Sequence, residues 1–412
     1  MASFKRLLGR REFLRDSLLT AAKVGAGLAI FEAGRKGIDL LELHDTWSAA
    51  AVSNDAFLSK NASLLDGLEL GASFAPEQWS QDRSGSAEAM RALDLTVRQL
   101  DIRRIRLGVR WRRGVNRDGA VDLSAYRPYI DYCLANGVDV CMNVGPIRTF
   151  RWPEEHVPRR VLERLESVPG VDATIRPQDE LAQVALSYVE SLLELLRRDY
   201  GNAIHTIQVE NEPFYELGEH RWTMSLDYLR EVANRVDDAF PNASILVTSA
   251  GRLNLNPVRN LFVGMLAEGD RFEGRLISGF DYHYKTPLRD SMPIVRHFDQ
   301  LSYARPLAPS LAQHQREARA LGFRIEVTEG QMEPYGKFTE PGNSAKDFRF
   351  LLLRCLEKVL DPEEPKLLRI WGVEELTKHM LRRELTDEHT QIIELIQTLN
   401  AAAHSTPGEV ST

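Results

Sequence analysis

Residues 181–213 read LAQVALSYVESLLELLRRDYGNAIHTIQVENEP. The opening part places Leu181, Val184, Tyr188, Leu192 and Leu196 three or four residues apart, with Glu190, Glu194, Arg197 and Arg198 on the opposite side. That spacing predicts a helix with one buried face. The short apolar run 204–209 follows and predicts a buried strand. It ends in Gln208-Val209-Glu210-Asn211-Glu212-Pro213, where apolar residues give way to carboxylates. A second helical stretch comes after it, at 226–240. Helix, strand and helix in this order describe one parallel βα unit.

Working outward, the same unit recurs along the chain. Apolar runs stand at 68–74, 104–109, 138–144, 204–209, 244–249, 276–282, 323–328 and 367–371. Further stretches of helical period fall at 87–100, 126–135, 311–321, 348–360 and 388–401. Eight such units predict an α/β fold of the closed (β/α)8 TIM-barrel type, in a single domain over 61–404. No glycine-rich phosphate fingerprint follows the first strand, which weighs against a dinucleotide-binding sheet. Residues 405–412 read as a flexible tail.

Composition narrows the function. The 412 residues are 43% hydrophobic and 27% charged, enough for one large core, and the formal net charge is −7. A chain of that charge lacks the basic footprint that nucleic acid requires. No apolar stretch is long enough for a conventional membrane-spanning helix. Cys133, Cys141 and Cys355 are far apart and read as small buried hydrophobes. The scattered histidines form no metal-ligand array, so neither metal nor organic cofactor is expected.

The N-terminus reads as an address. Gly9-Arg10-Arg11-Glu12-Phe13-Leu14-Arg15 has paired arginines, a spacer, Phe-Leu and a basic residue, ahead of a mildly apolar segment from Leu18 to Phe31. It resembles a twin-arginine export signal, which implies the export machinery as a partner. The resulting location is periplasmic, extracellular or on the outer face of a membrane. Residues 1–60 are assigned to this leader and a linker. Ala49-Ala50-Ala51 offers a cleavage site, and an uncleaved leader would be the chain's only membrane contact.

In a parallel barrel, polar residues at the C-terminal strand ends face the active site. The fourth run delivers Glu212, and the seventh ends Glu326-Val327-Thr328-Glu329-Gly330-Gln331. Two carboxylates from opposite sides of one ring suit acetal hydrolysis, which needs a proton donor and an ionised partner. Strict alternation along the strands would place Glu210 deeper on the same face as Glu212, in a structural salt bridge. It would turn Glu326 toward the outer helices.

These strand ends resemble clan A of the glycoside hydrolases, which includes the cellulase-like family 5, the family 10 xylanases and the family 35 and 42 β-galactosidases. The shared signature is Asn-Glu-Pro ending strand four and Thr-Glu ending strand seven. The resemblance implies Glu212 as acid/base, Asn211 on the sugar hydroxyl beside the reacting carbon, and Glu329 as nucleophile in a retaining mechanism. Arg106, in Ile105-Arg106-Leu107-Gly108-Val109-Arg110-Trp111, matches the family 5 arginine that keeps the nucleophile ionised. His283 and Tyr284 match the clan's His and Tyr on strand six, Tyr284 or Tyr282 donating to Glu329. Trp371 matches the tryptophan under the sugar ring. Phe74-Ala75-Pro76-Glu77-Gln78-Trp79 is similar to the family 42 opening, and Asn143-Val144-Gly145-Pro146 to the Gly-Pro of family 35.

Tryptophans 79, 111, 152, 222 and 371 fall at strand ends or in the following loops, as a carbohydrate cleft would place them. Trp79, Trp152 and Gln331 join the expected substrate-contacting set. The expected activity is hydrolysis of β-glycosidic bonds in an oligo- or polysaccharide or glycoside. Transglycosylation by the same intermediate and a non-catalytic carbohydrate-binding barrel are the alternatives.

Overall fold

The computed structural model describes residues 42, 45–79, 83–150, 156–216, 218, 220–282, 284–285, 298–299, 311–331 and 345–405. The twin-arginine stretch, Trp152, His283 and residues 406–412 lie outside them. No described helix is long and apolar enough to cross a membrane.

Eight parallel strands close into a barrel. They are β1 (Leu68–Ser73), β2 (Arg104–Gly108), β3 (Asp139–Asn143), β4 (Thr206–Gln208), β5 (Ser244–Ala250), β6 (Leu276–Tyr282), β7 (Arg324–Gln331) and β8 (Lys366–Trp371). Each pairs with its neighbours in chain order, and β8 returns to β1 through the register Leu68↔Lys366 to Ala72↔Ile370. These are the eight apolar runs of the sequence, with ends shifted by a few residues.

Outside the ring, helices Arg127–Ala135, Glu180–Tyr200, Leu226–Ala239, Leu311–Leu321, Ala345–Lys358 and Asp387–Ser405 occupy the expected stretches. Glu180–Tyr200 buries Leu181, Tyr188, Leu192 and Leu196 as its period predicts, together with Ala182, Ala185 and Val189; Val184 faces outward. Each large aliphatic side chain buried in this way stabilises the fold by about 1.5–3 kcal/mol. Two of the longer helices were not legible. Leu255–Leu266 carries Pro257 in its first turn, where the missing N–H costs nothing, and its almost wholly apolar second half, Leu261-Phe262-Val263-Gly264-Met265-Leu266, hides the helical period. Val373–Arg382 starts abruptly at Gly372, whose φ of 79° turns the chain out of β8.

The folded body also begins earlier than residue 61. Residues 45–60, assigned to the leader and linker, pack on the barrel. The Ala50 carbonyl accepts from Arg349 Nε at 2.9 Å, and Asn54 Oδ1 from Arg349 Nη1 at 2.8 Å. Asn54 Nδ2 donates to the Gln391 carbonyl at 2.7 Å, Phe57 is fully buried, and Trp47 meets Phe350 edge-on.

The deep part of the lumen is a set of ion pairs. Arg104 joins Glu69 to Asp139, and Arg369 holds Glu326 at 2.5 Å. Glu326 therefore points into the barrel rather than toward the helices. Burial raises the Cys141 thiol to about 11, while its neighbours Arg369 and Glu326 pull in opposite directions. The alternation that misplaced Glu326 breaks at a β-bulge. Register along β7 shifts between Val327 and Glu329 against β6, and between Val327 and Gly330 against β8. One extra residue there lets Glu326, Thr328 and Glu329 all reach the interior.

Candidate active site

The bulge sets the geometry of the upper lumen. From β2, the wholly buried Arg106 donates through Nη2 to Glu329 Oε1 and, at 3.2 Å, to Asn211 Oδ1. Its Nη1 donates to the Thr328 carbonyl at 3.3 Å and lies 3.8 Å from Asp281 Oδ1. The guanidinium sits 4.0 Å from the centre of the Phe150 ring, a cation–π contact that fixes its plane. Glu329, only 2% exposed, is thus held against a cation, as a nucleophilic carboxylate requires.

Asn211 is oriented through its oxygen. Oδ1 accepts from Arg106, from Gln208 Nε2 at 3.1 Å and from Thr248 Oγ1 at 3.4 Å. With the oxygen so occupied, the donor end of the amide is turned the other way. Glu212 follows with φ of 43°, a left-handed conformation that costs a non-glycine residue free energy. Its N–H donates to Thr248 Oγ1 at 2.7 Å and its carbonyl accepts from Arg148 Nη1 at 2.7 Å. These contacts hold the strained turn that ends β4.

Glu210 is buried as expected, but its partners are hydrogen-bond donors instead of a salt bridge. The Arg148 N–H reaches Oε2 at 2.7 Å, and the Tyr228 hydroxyl and Ile147 N–H reach Oε1 at 3.0 and 3.4 Å. Ser225 caps helix Leu226–Ala239 by accepting from the Tyr228 N–H, which puts Tyr228 in the first turn. Burial pushes Glu210 up to about 8. The loop after β3 is drawn so close that a Cβ on Gly145 would lie 2.4 Å from Glu210 Oε2 and 2.7 Å from its Cα.

Strand six contributes a residue that the sequence reading passed over. Asp281, fully buried, accepts from Thr328 Oγ1 at 2.5 Å. Burial first, then the charges of Glu329 and Glu212, push its carboxyl well above the usual carboxylate range, against the pull of Arg106. Asp281 alternates with Gly279 on the lumen side, a signal the sequence carried; Tyr282, the next residue, packs in the outer core. Gln208, Thr248 and Phe150 also went unrecognised, because their roles depend on contacts between distant strands.

The other expected residues divide. Trp371 ends β8 beside Gln331 in register, and packs with Ala75 and edge-on to Phe150 at 5.9 Å, so it joins the cluster. Gln331 is 2% exposed at the end of β7. Tyr284 lies in a short ladder, Tyr284–Lys285 with Phe298–Asp299, just past β6. Among the described tryptophans, Trp79 and Trp111 do not line the mouth. Trp79 stacks on Phe74, Trp111 stacks on Tyr188, and both belong to the main core. Trp222 is buried and donates to the Gly170 carbonyl at 2.9 Å. A strand-end tryptophan fills the space between barrel and helix as readily as it faces solvent.

Asn143 Nδ2, Gln208 Oε1 and Asp281 Oδ2 are buried without a hydrogen-bond partner among the described residues. Such atoms are costly unless water or a polar ligand satisfies them, and a hydroxyl-rich ligand offers donors and acceptors to all three. No described cluster of His, Cys, Asp and Glu could hold a metal ion.

No family model matches the sequence, and no curated protein does. Among solved structures, a β-galactosidase from Bacillus circulans sp. alkalophilus aligns with 81% of this chain and 56% of its own, at 12% identity and a TM-score of 0.50. A thermostable mutant xylanase from Cellvibrio japonicus covers 82% of this chain and 99% of its own, at 13% identity and a TM-score of 0.49. A family 10 glycoside hydrolase from Paenibacillus barcinonensis gives 76%, 85%, 17% and 0.45 for the same quantities. At these identities the likeness is one of architecture: the chain is a (β/α)8 barrel.

Proposed function

We propose that this protein is a glycoside hydrolase that cleaves β-glycosidic bonds, with Glu329 as nucleophile and Glu212 as acid/base. The observation that carries the reading is the grip of Arg106 on Glu329 while Glu212 emerges from β4 around the same buried acid, Asp281. In the first step Glu212 gives its proton to the leaving oxygen as Glu329 attacks the anomeric carbon. In the second, Glu212 takes a proton from water, which displaces the sugar from Glu329. Arg106 keeps Glu329 ionised, and the amide of Asn211 meets the hydroxyl next to the reacting carbon. Thr248 holds both Asn211 and the Glu212 backbone, so it fixes the spacing of the two. The likeness to a β-galactosidase structure agrees with this class of substrate.

The test is a panel of aryl β-glycosides and β-linked polysaccharides offered to the wild type, Glu329→Gln and Glu212→Gln. Each substitution is expected to lower kcat by about a thousandfold or more. Equal turnover by all three proteins removes the assignment. The anomer released first, read by NMR, separates the two stereochemical outcomes: retention accompanies carboxyls about 5–5.5 Å apart and inversion about 6.5–9.5 Å.

We further propose export through residues 9–15. Replacing Arg10 and Arg11 by lysine in a reporter fusion should leave the fusion in the cytoplasm; unchanged export would refute it.

A further inference from the structure

One residue of the loop after β3 grips three consecutive residues where the chain leaves β4. Arg148 is 3% exposed. Its N–H donates to Glu210 Oε2 at 2.7 Å, and its carbonyl accepts from the Asn211 N–H at 3.0 Å. The guanidinium continues where the backbone stops. Nη1 donates to the Glu212 carbonyl at 2.7 Å and to the Tyr215 carbonyl at 2.6 Å, and Nη2 donates to the Trp222 carbonyl. The loop that follows Glu212 is thereby drawn together from Tyr215 to Trp222.

The two grips differ in what they can fix. The backbone grip serves Glu210 and Asn211, ahead of the turn, and survives any change of side chain. Only the guanidinium reaches Glu212, whose φ of 43° persists where the surroundings over-determine it. Thr248 Oγ1 pins the peptide before the Glu212 Cα through its N–H, and Arg148 pins the peptide after it through the carbonyl. With both flanking peptides held, the direction in which the side chain leaves Cα is set. An arginine suits this task, because its planar fork offers several donors at once where a lysine offers one mobile ammonium.

The two glutamates of the site are therefore held by different ends. Arg106 meets Glu329 at its carboxylate, whereas Arg148 meets Glu212 at its backbone carbonyl. A guanidinium laid on a carboxylate favours the ionised form, which suits a nucleophile and defeats a proton donor. We propose that the Arg148 guanidinium positions the acid/base Glu212, so that its loss impairs proton transfer to the leaving oxygen and spares the attack by Glu329. The inference rests on the glycosidase reading for the role of Glu212, and on the contacts of Arg148 alone for the clamp.

The test compares two leaving groups on the sugar that the full-length wild type turns over. Dinitrophenolate departs without a proton, whereas the more basic phenolate relies on one. In Arg148→Met, kcat/KM for the phenyl β-glycoside should fall by about a hundredfold or more, while that for the dinitrophenyl β-glycoside should change by less than about threefold. Arg148→Lys, which restores one donor, should fall between the two proteins, and it carries the same comparison if Arg148→Met fails a thermal-melting check of folding. A residue that only supports the fold would slow both substrates alike, so a parallel loss overturns the proposal, as does no loss. Amide hydrogen exchange over residues 209–216, read by mass spectrometry, needs no turnover. It should quicken by about tenfold or more in the folded variant, and unchanged exchange overturns the clamp. Quickened exchange in a protein whose wild type hydrolyses neither glycoside would sink the glycosidase reading and leave the clamp standing.

Discussion

The lower and upper halves of one barrel lumen treat charge in opposite ways. Below, each of three carboxylates has a guanidinium partner: Glu69 and Asp139 share Arg104, and Glu326 has Arg369. Above, Arg106 faces both Glu329 and Asp281, with Glu212 close enough to raise Asp281 further. The floor is a solved electrostatic problem, and it stiffens the ring. The mouth is left with more carboxyl groups than its guanidinium can satisfy, and burial with two neighbouring carboxylates pushes one of them, Asp281, well above the usual carboxylate range. Sites that must change protonation during a reaction are built in this unsatisfied way.

If that contrast is sound, removing one charge should cost stability below and not above. The largest effect is expected for Glu326→Leu, which strands the buried Arg369. Breaking one partner of a buried pair costs about 3–5 kcal/mol, and Glu326→Leu/Arg369→Met should recover most of it. Urea titration of the three proteins checks this, and a small loss in the single variant would erase the distinction between the halves.

Asp281→Asn should come next, with the opposite sign. A group whose value is raised in the folded state stabilises the fold at low pH and loses that contribution as pH rises through its folded value. The amide cannot ionise, so the variant should melt above the wild type at alkaline pH and with it at low pH. Its turnover at neutral pH should stay within about tenfold of the wild type, with a displaced alkaline limb. A thousandfold loss would mean that Asp281 works as an anion.

Glu210→Gln should show the smallest change. Its folded value near 8 stands above the ordinary 4.5, so its contribution is complete below about pH 4.5 and fades as pH rises through 8. Melting temperatures at pH 6 and 9 should differ by a few degrees less in the variant than in the wild type. An identical pH slope in the two proteins would remove Glu210 from the account.

The strands and the contact of Arg106 with Glu329 lay within reach of the sequence, because apolar runs and strand-end polar groups follow from burial. What stayed hidden depends on departures from regular geometry. The bulge at Val327–Glu329 inverts the face predicted for Glu326, and no residue pattern announces it. Glu212 adopts a positive φ that only Thr248 and Arg148, far away in sequence, can hold. Asp281 stands in plain view in Phe280-Asp281-Tyr282, but the clan resemblance on that strand rests on the aromatic residues that follow it. The tryptophans misled for a simpler reason: Trp79 and Trp111 are worth as much packed in a core as stacked on a sugar.

The clasp formed by residues 45–60 bears on maturation of the chain. Ala50 is wholly buried, with its N–H on the Thr46 carbonyl and its own carbonyl on Arg349. A peptidase needs its scissile bond extended, whereas Ala49-Ala50-Ala51 closes a helical turn with Ala50 held inside once the barrel has formed. A leader destined for removal after folding would therefore have to be severed upstream of Asp45, and a cut at the alanines would take Trp47 away from Phe350 with it.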